Sequence, residues 1–191
     1  MAEQEQLIIN DPERIRAVAH PLRLKLLDLL KDHRELTATE CAELTGESVA
    51  SCSFHLRMLE KYGFIERAEP RGREKPWRLV GSGSYATGVD PEVPGSLQAT
   101  VELGKLTFAQ RAQGLWAAME RLDREPQAWM EATRLMNASV WATAEEARAL
   151  ADEISDVLDR YTGRDDPAER PAGARRVRVV TAVYSDPPEQ A

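Results

Sequence analysis

The chain has 191 residues, 42% of them apolar and 30% charged, with a net charge of -7 and two cysteines. That is enough apolar material for a buried core without disulfide or metal staples, and too few cysteines for a disulfide scaffold. No apolar run approaches the ~20 residues of a membrane span and no export signal is visible, so the expected setting is a reduced cytoplasm with no membrane partner. The acidity also excludes a protein that coats nucleic acid along its whole length.

The charge is uneven. Residues 11–80 carry 13 Lys/Arg against 12 Asp/Glu, whereas residues 81–191 carry 12 against 18. All three histidines (His20, His33, His55) and both cysteines (Cys41, Cys52) precede residue 81. The stretch "VGSGSYATGVDPEVPGS", residues 80–96, is rich in Gly, Ser and Pro and reads as a linker. The expected organisation is a front domain over residues 11–80, a linker over 81–96 and a second region over 97–191.

Asp11-Pro12 suits a helix start, since the carboxylate can cap free amides and Pro is tolerated at the first helical position. His20-Pro21 marks a second start, after which Leu22, Leu26, Leu29 and Leu30 recur at helical spacing. The segment "LTATECAELTGESVASCSFHLRMLEKYGF" predicts a short helix over about 38–44, a turn at Thr45-Gly46 and a longer helix capped by Ser48 and running to about Tyr62. On the longer helix, Val49, Cys52, Leu56 and Leu59 fall on one face and are expected in the core. The other face presents small, hydrogen-bonding and cationic groups, the mixture that suits a helix entering the major groove.

After Gly63 the period changes to alternation around a basic tip, which predicts a two-stranded hairpin. From 49 to 80 there are 7 Lys/Arg against 4 Asp/Glu, a locally basic stretch in an acidic protein. A helix-turn-helix followed by a basic hairpin is the winged-helix order, with the hairpin lying along the DNA backbone or minor groove. The candidate DNA contacts are Ser51, Ser53, Phe54, His55 and Arg57 on the helix, and Arg71, Arg73 and Lys75 on the hairpin.

"AVAHPLRLKLLDLL", "ECAEL" and "SFHLRMLEKYGFIER", followed by the hairpin, resemble the ArsR-type winged-helix transcriptional regulators over residues 11–80. The rear half looks like the C-terminal extension of many actinobacterial members. The resemblance implies a homodimeric regulator of transcription, expected to be a repressor on a palindromic operator of double-stranded DNA with half-sites about one helical turn apart. Metal-sensing members carry a Cys-x-Cys pair where this chain has Thr37 and Thr39, and a second metal site of the family needs a histidine on the dimer helix, whereas no histidine follows His55. Neither a metal nor a cofactor is therefore expected.

The two cysteines read as small buried hydrophobes, with a thiol switch as the alternative. No phosphate-cradling Gly loop, serine nucleophile motif or paired-acid cluster points to an enzyme. A winged helix that binds protein instead of DNA stays open beside the regulator reading, given Glu47, Glu60, Glu66, Glu69 and Glu74.

In the second region, Leu97, Val101, Gly104, Phe108, Ala112, Leu115, Met119 and Leu122 form a sustained stripe on a helix ending near Arg124, and Leu103, Leu106 and Trp116 form a second strip. A helix apolar on two sides can pack on its own domain and on a twin, so it is expected to be the dimer helix. A short helix around Trp129, a strand near 133–141, a helix capped at Thr143 by a Thr-x-x-Glu box and a final strand in "ARRVRVVTAVYSD" complete the chain. The fold class is thus mainly α with small β: a winged helix-turn-helix plus an α+β dimerisation or effector region with a long helix and a small strand pair. Trp116, Trp129, Met136 and Trp141 are the candidate lining of a pocket for a small-molecule effector.

Overall fold

The structure is a computed structural model and describes residues 7–9, 11–81, 85–87, 89–90, 92–161, 164 and 167–187. The chain divides into two compact units, Met1–Arg121 and Leu122–Ala191.

The first unit begins with strand β1 (Leu7–Ile9) and helix α1 (Pro12–Val18), followed by α2 (Pro21–His33) and the short strand β2 (Glu35–Leu36). Helices α3 (Ala38–Thr45) and α4 (Val49–Lys61) come next, then strands β3 (Ile65–Arg67), β4 (Trp77–Leu79) and β5 (Tyr85–Thr87), and the 24-residue helix α5 (Ser96–Met119). The caps are those expected from the sequence. Asp11 accepts the Glu13 amide, His20 Nδ1 accepts the Leu22 amide and Ser48 accepts the Ser51 amide. Gly46 ends α3 in the left-handed conformation at φ 78°. Each cap satisfies an amide that the first helical turn leaves without a partner.

Strands β2, β4 and β3 form an antiparallel sheet in that order, with Ile65 opposite Leu79 and Leu36 opposite Trp77. The core lies between this sheet and the helices. Ile15 and Val18 of α1, Leu26 and Leu30 of α2, Cys41 of α3 and Cys52, Leu56 and Leu59 of α4 are fully buried, and Phe64, Ile65 and Trp77 close one side. Val49 departs from expectation, being 46% exposed. It is the first residue of α4, one turn before the helix meets the core, so the periodicity that buries Cys52 and Leu56 does not bury its first member.

Part of the stretch expected to be only a linker is strand: β5 pairs in parallel with β1, Leu7 opposite Tyr85. The boundary of the first unit also falls later than the composition change, because α5 packs on α1. Ala99 and Leu103 are buried on that side and Leu106 joins them in part. Farther along, Asp28 of α2 takes two hydrogen bonds from the Arg111 guanidinium, at 2.6 and 2.9 Å, and one from Gln110 at 2.9 Å. The longer stripe is the one left open: Leu97, Val101, Phe108, Leu115 and Met119 are exposed.

The second unit contains α6 (Gln127–Ala132) and α7 (Ala144–Asp159), with short 3-10 turns at Leu122–Arg124 and Pro167–Glu169. The capping box expected at the start of α7 is present: Thr143 accepts the Glu146 amide, and the Glu146 carboxylate accepts the Thr143 amide. The two strands expected near 133–141 and 174–186 are not formed. Both stretches lie outside any ladder and are exposed along their whole described length. β-branched composition favours extended backbone, but a strand exists only where a neighbouring strand takes its hydrogen bonds, and among the described residues of this unit no ladder forms.

Candidate nucleic-acid interface

The residues expected to meet DNA occupy two neighbouring features, the outer face of α4 and the β3–β4 hairpin. Burial of Cys52, Leu56 and Leu59 fixes the rotation of α4 and thereby turns its other side outward. Phe54 is 54% exposed, Arg57 is exposed, and Ser51, Ser53 and His55 are half-buried. Arg57 Nε donates to the Ser53 carbonyl at 3.2 Å, which folds the side chain back along the helix.

His55 is less free than its helical position implies. Its ring lies 4.3 Å from the ring of His20, and Phe54 meets it edge-on at 5.2 Å. Burial, His20 and the Arg23 guanidinium together hold the His55 imidazole below its ordinary pKa, and burial followed by Arg23 does the same for His20. Buried His55 Nδ1 has no hydrogen-bond partner among the described residues. Neutral rings can stack this closely beside a guanidinium without charge repulsion. The α2 start thus reaches the candidate interface through His20 and Arg23, which sequence reading missed. His20-Pro21 signalled only a cap, and nothing local signals a ring contact 35 positions away.

The hairpin is built around Trp77, whose ring is buried beneath the Arg67 guanidinium at 3.5 Å. Arg67 also pairs with Glu60 of α4 at 3.3 Å and donates to the Lys75 carbonyl at 2.9 Å, so the hairpin's base is tied to the helix. Across the strands Arg78 pairs with Glu66 at 2.9 Å. At the tip, Arg71 and Glu74 exchange backbone hydrogen bonds around Gly72, which sits at φ 65° where glycine carries no Cβ penalty.

The three basic tip residues are not equivalent. Arg71 meets the Glu40 carboxylate of α3 at 3.4 Å, whereas Arg73 and Lys75 are exposed and form no ion pair among the described residues. Glu40 itself belongs to the capping box of α3, receiving the Thr37 amide at 2.6 Å, and that hydrogen bond holds its carboxyl below the usual range. Thr37 is therefore the N-capping residue of α3. Cys41 and Cys52 are buried beneath this surface, and burial pushes the Cys41 thiol up to about 12. No group of three or more potential metal-ligating side chains occurs among the described residues.

The second candidate set is divided between the two units. Trp116, in the first unit, is 64% exposed; in the second unit Met136 is 94% and Trp141 100% exposed, while Trp129 is half-covered by the Arg175 guanidinium at 5.0 Å.

Residues 18–68 match the model of a family described as a helix-turn-helix domain. The head of the chain is a helix-turn-helix domain. Among solved structures, this winged helix-turn-helix chain is similar to a "possible transcriptional regulator for arsenical resistance", at 24% identity over 55% of this chain and 93% of that one, TM-score 0.33. An ArsR family transcriptional regulator matches at 20% identity over 56% and 95%, TM-score 0.31. The YusO protein of Bacillus subtilis matches at 18% over 79% and 84%, TM-score 0.33. Likenesses this distant add nothing about partners. No curated protein matches the chain. Among the described residues no helix is long and apolar enough to cross a membrane.

Proposed function

We propose that the chain is a DNA-binding transcriptional regulator, a repressor acting as a homodimer on a palindromic operator. The observation that carries this reading is the outward face of α4, with Ser51, Ser53, Phe54, His55 and Arg57 presented by a helix whose back is fully buried, next in sequence to a hairpin tip with exposed Arg73 and Lys75. Small and hydroxylated side chains allow the helix backbone close to base edges, and the cations supply phosphate contacts that position it. The homodimer is supported by α5, apolar on two sides with one side packed on α1 and the other open.

The roles divide by chemistry. Arg73 and Lys75 contribute affinity with little sequence choice, whereas Phe54 contributes at base or sugar edges and His55 at a base edge or a phosphate. Arg71, held by Glu40, sets the angle of the tip. The test is fluorescence anisotropy with a duplex selected from random sequence by the purified protein. Arg73→Ala is expected to weaken binding to all duplexes alike and to lower the salt slope by about 0.9, the value for one phosphate contact. Unchanged affinity and slope in both Arg57→Ala and Arg73→Ala would remove this assignment. Failure to select any duplex would favour a protein-binding winged helix, the reading that the acidic residues around the helix support.

A further inference from the structure

The outward face of α4 carries one side chain whose chemistry suits neither phosphates nor the polar edges of bases. Phe54 is 54% exposed, and among the described residues of α4 only Val49 is another large apolar side chain with comparable exposure; Leu56 and Leu59 are buried and Met58 is half-buried. Phe54 stands in the N-terminal half of the helix, the part that a helix-turn-helix presents to base edges. The turn that a helical side chain covers lies N-terminal to its own Cα, and here it holds Ala50 and Ser51. Neither is bulky enough to screen the ring.

The ring is also held from behind. His55 meets it edge-on at 5.2 Å and 81°, and the His55 ring in turn lies 4.3 Å from that of His20. His20 Nδ1 accepts the Leu22 amide at 3.1 Å, so three rings run from the capped start of α2 to the outer face of α4. A side chain supported in this way loses little freedom when it meets a ligand.

A phenyl ring neither donates nor accepts an ordinary hydrogen bond. Set against the ring nitrogens, carbonyls or amino groups of base edges, it would displace water without replacing that water's hydrogen bonds, which costs free energy. The major groove offers one apolar group, the 5-methyl of thymine. We infer that Phe54 packs on a thymine methyl in the major groove and thereby makes the binding site require thymine at that position. Its surroundings favour nucleic acid over an apolar protein partner. Ser51, Ser53 and Arg57 flank it on α4, and Arg73 and Lys75 are exposed on the hairpin that follows, so the ring is a single apolar group among groups suited to phosphates and bases.

This inference rests on the DNA-binding reading above. The experiment takes the full-length protein and the duplex it selects from random sequence, and replaces each thymine in turn by deoxyuridine. That change deletes the methyl and keeps every hydrogen-bonding atom of the base edge. Anisotropy is expected to show about a four-fold loss of affinity at one thymine, or at one symmetry-related pair, the transfer value of one buried methyl group. Phe54→Ala, at an exposed helical position where Ala is the best helix former, should bind the thymine and deoxyuridine duplexes equally. Val49→Ala should keep the difference. A duplex with no methyl-sensitive position, a sensitivity that survives in Phe54→Ala, or one that vanishes in Val49→Ala overturns the assignment and leaves DNA binding standing. Failure to select any duplex overturns both. A single cooperative thermal transition reports that each variant has folded.

Discussion

Replacing Asp28 by Ala tests whether α5 is part of the DNA-binding head or an attachment to it. The Asp28 carboxylate accepts two hydrogen bonds from Arg111 and one from Gln110, all between 2.6 and 2.9 Å. Hydrogen bonds to charged groups contribute about 1.5–3 kcal/mol each when well shielded, and an exposed ion pair only about 0.2–1 kcal/mol. With 19% of the Asp28 side chain and 33% of the Arg111 side chain exposed, the pair lies between these limits. We therefore expect Asp28→Ala to cost about 2 kcal/mol and to lower the melting temperature by about 8 °C, at about 4 °C per kcal/mol for a unit of this size. Arg111→Met keeps the aliphatic stem and should cost less. The decisive quantity is the coupling in a double-mutant cycle by urea unfolding, expected at about 1.5 kcal/mol. Additive single effects would show that the contact does not hold the helix, and that α5 is placed by Ala99 and Leu103 alone.

Two further outcomes follow from the surroundings of titratable groups. With the Cys41 thiol pushed up to about 12, its thiolate fraction at pH 8 is on the order of 10⁻⁴, so maleimide labelling of native protein should be negligible and become rapid only in denaturant. Diamide should leave DNA affinity unchanged, and an oxidant-dependent change abolished by Cys52→Ser would instead establish a thiol switch. His20 and His55 are held below their ordinary value of about 6.5 by burial, with Arg23 adding to the effect. A histidine lowered in the folded state contributes stability that is present above the unfolded pKa and is lost as pH falls below it. Stability should thus decline from about pH 7 downward, and less so in His55→Gln. A phosphate near His55 would act oppositely and raise its pKa, so DNA affinity should rise as pH falls from 8 to 6 in the wild type and stay flat in His55→Gln; a flat wild-type profile would remove His55 from the phosphate contacts.

Much of the head was legible because its information is local. Helix starts at Asp11-Pro12, His20-Pro21 and Ser48, the left-handed stop at Gly46 and the inward set Cys52, Leu56 and Leu59 follow from spacing and capping chemistry alone, and the structure reproduces them. The outward side of α4 was legible for the same reason: once one face of a helix is buried, the opposite face is determined. Val49 was misplaced because periodicity does not say where along a helix the core begins.

What the sequence alone determined is therefore the order of elements, the rotation of α4 and the two-sided character of α5, all properties of a few consecutive turns. Only the tertiary structure decided which side of α5 packs on α1, which of the three basic tip residues is tied to Glu40, and that His20 and Arg23 stand against His55. These depend on contacts between residues tens of positions apart, where no local pattern discriminates. The C-terminal segments show the same limit from the other direction. Alternation in "VRVVTAVY" makes a strand favourable, but hydrogen-bond partners make it a strand, and among the described residues of the second unit no ladder forms.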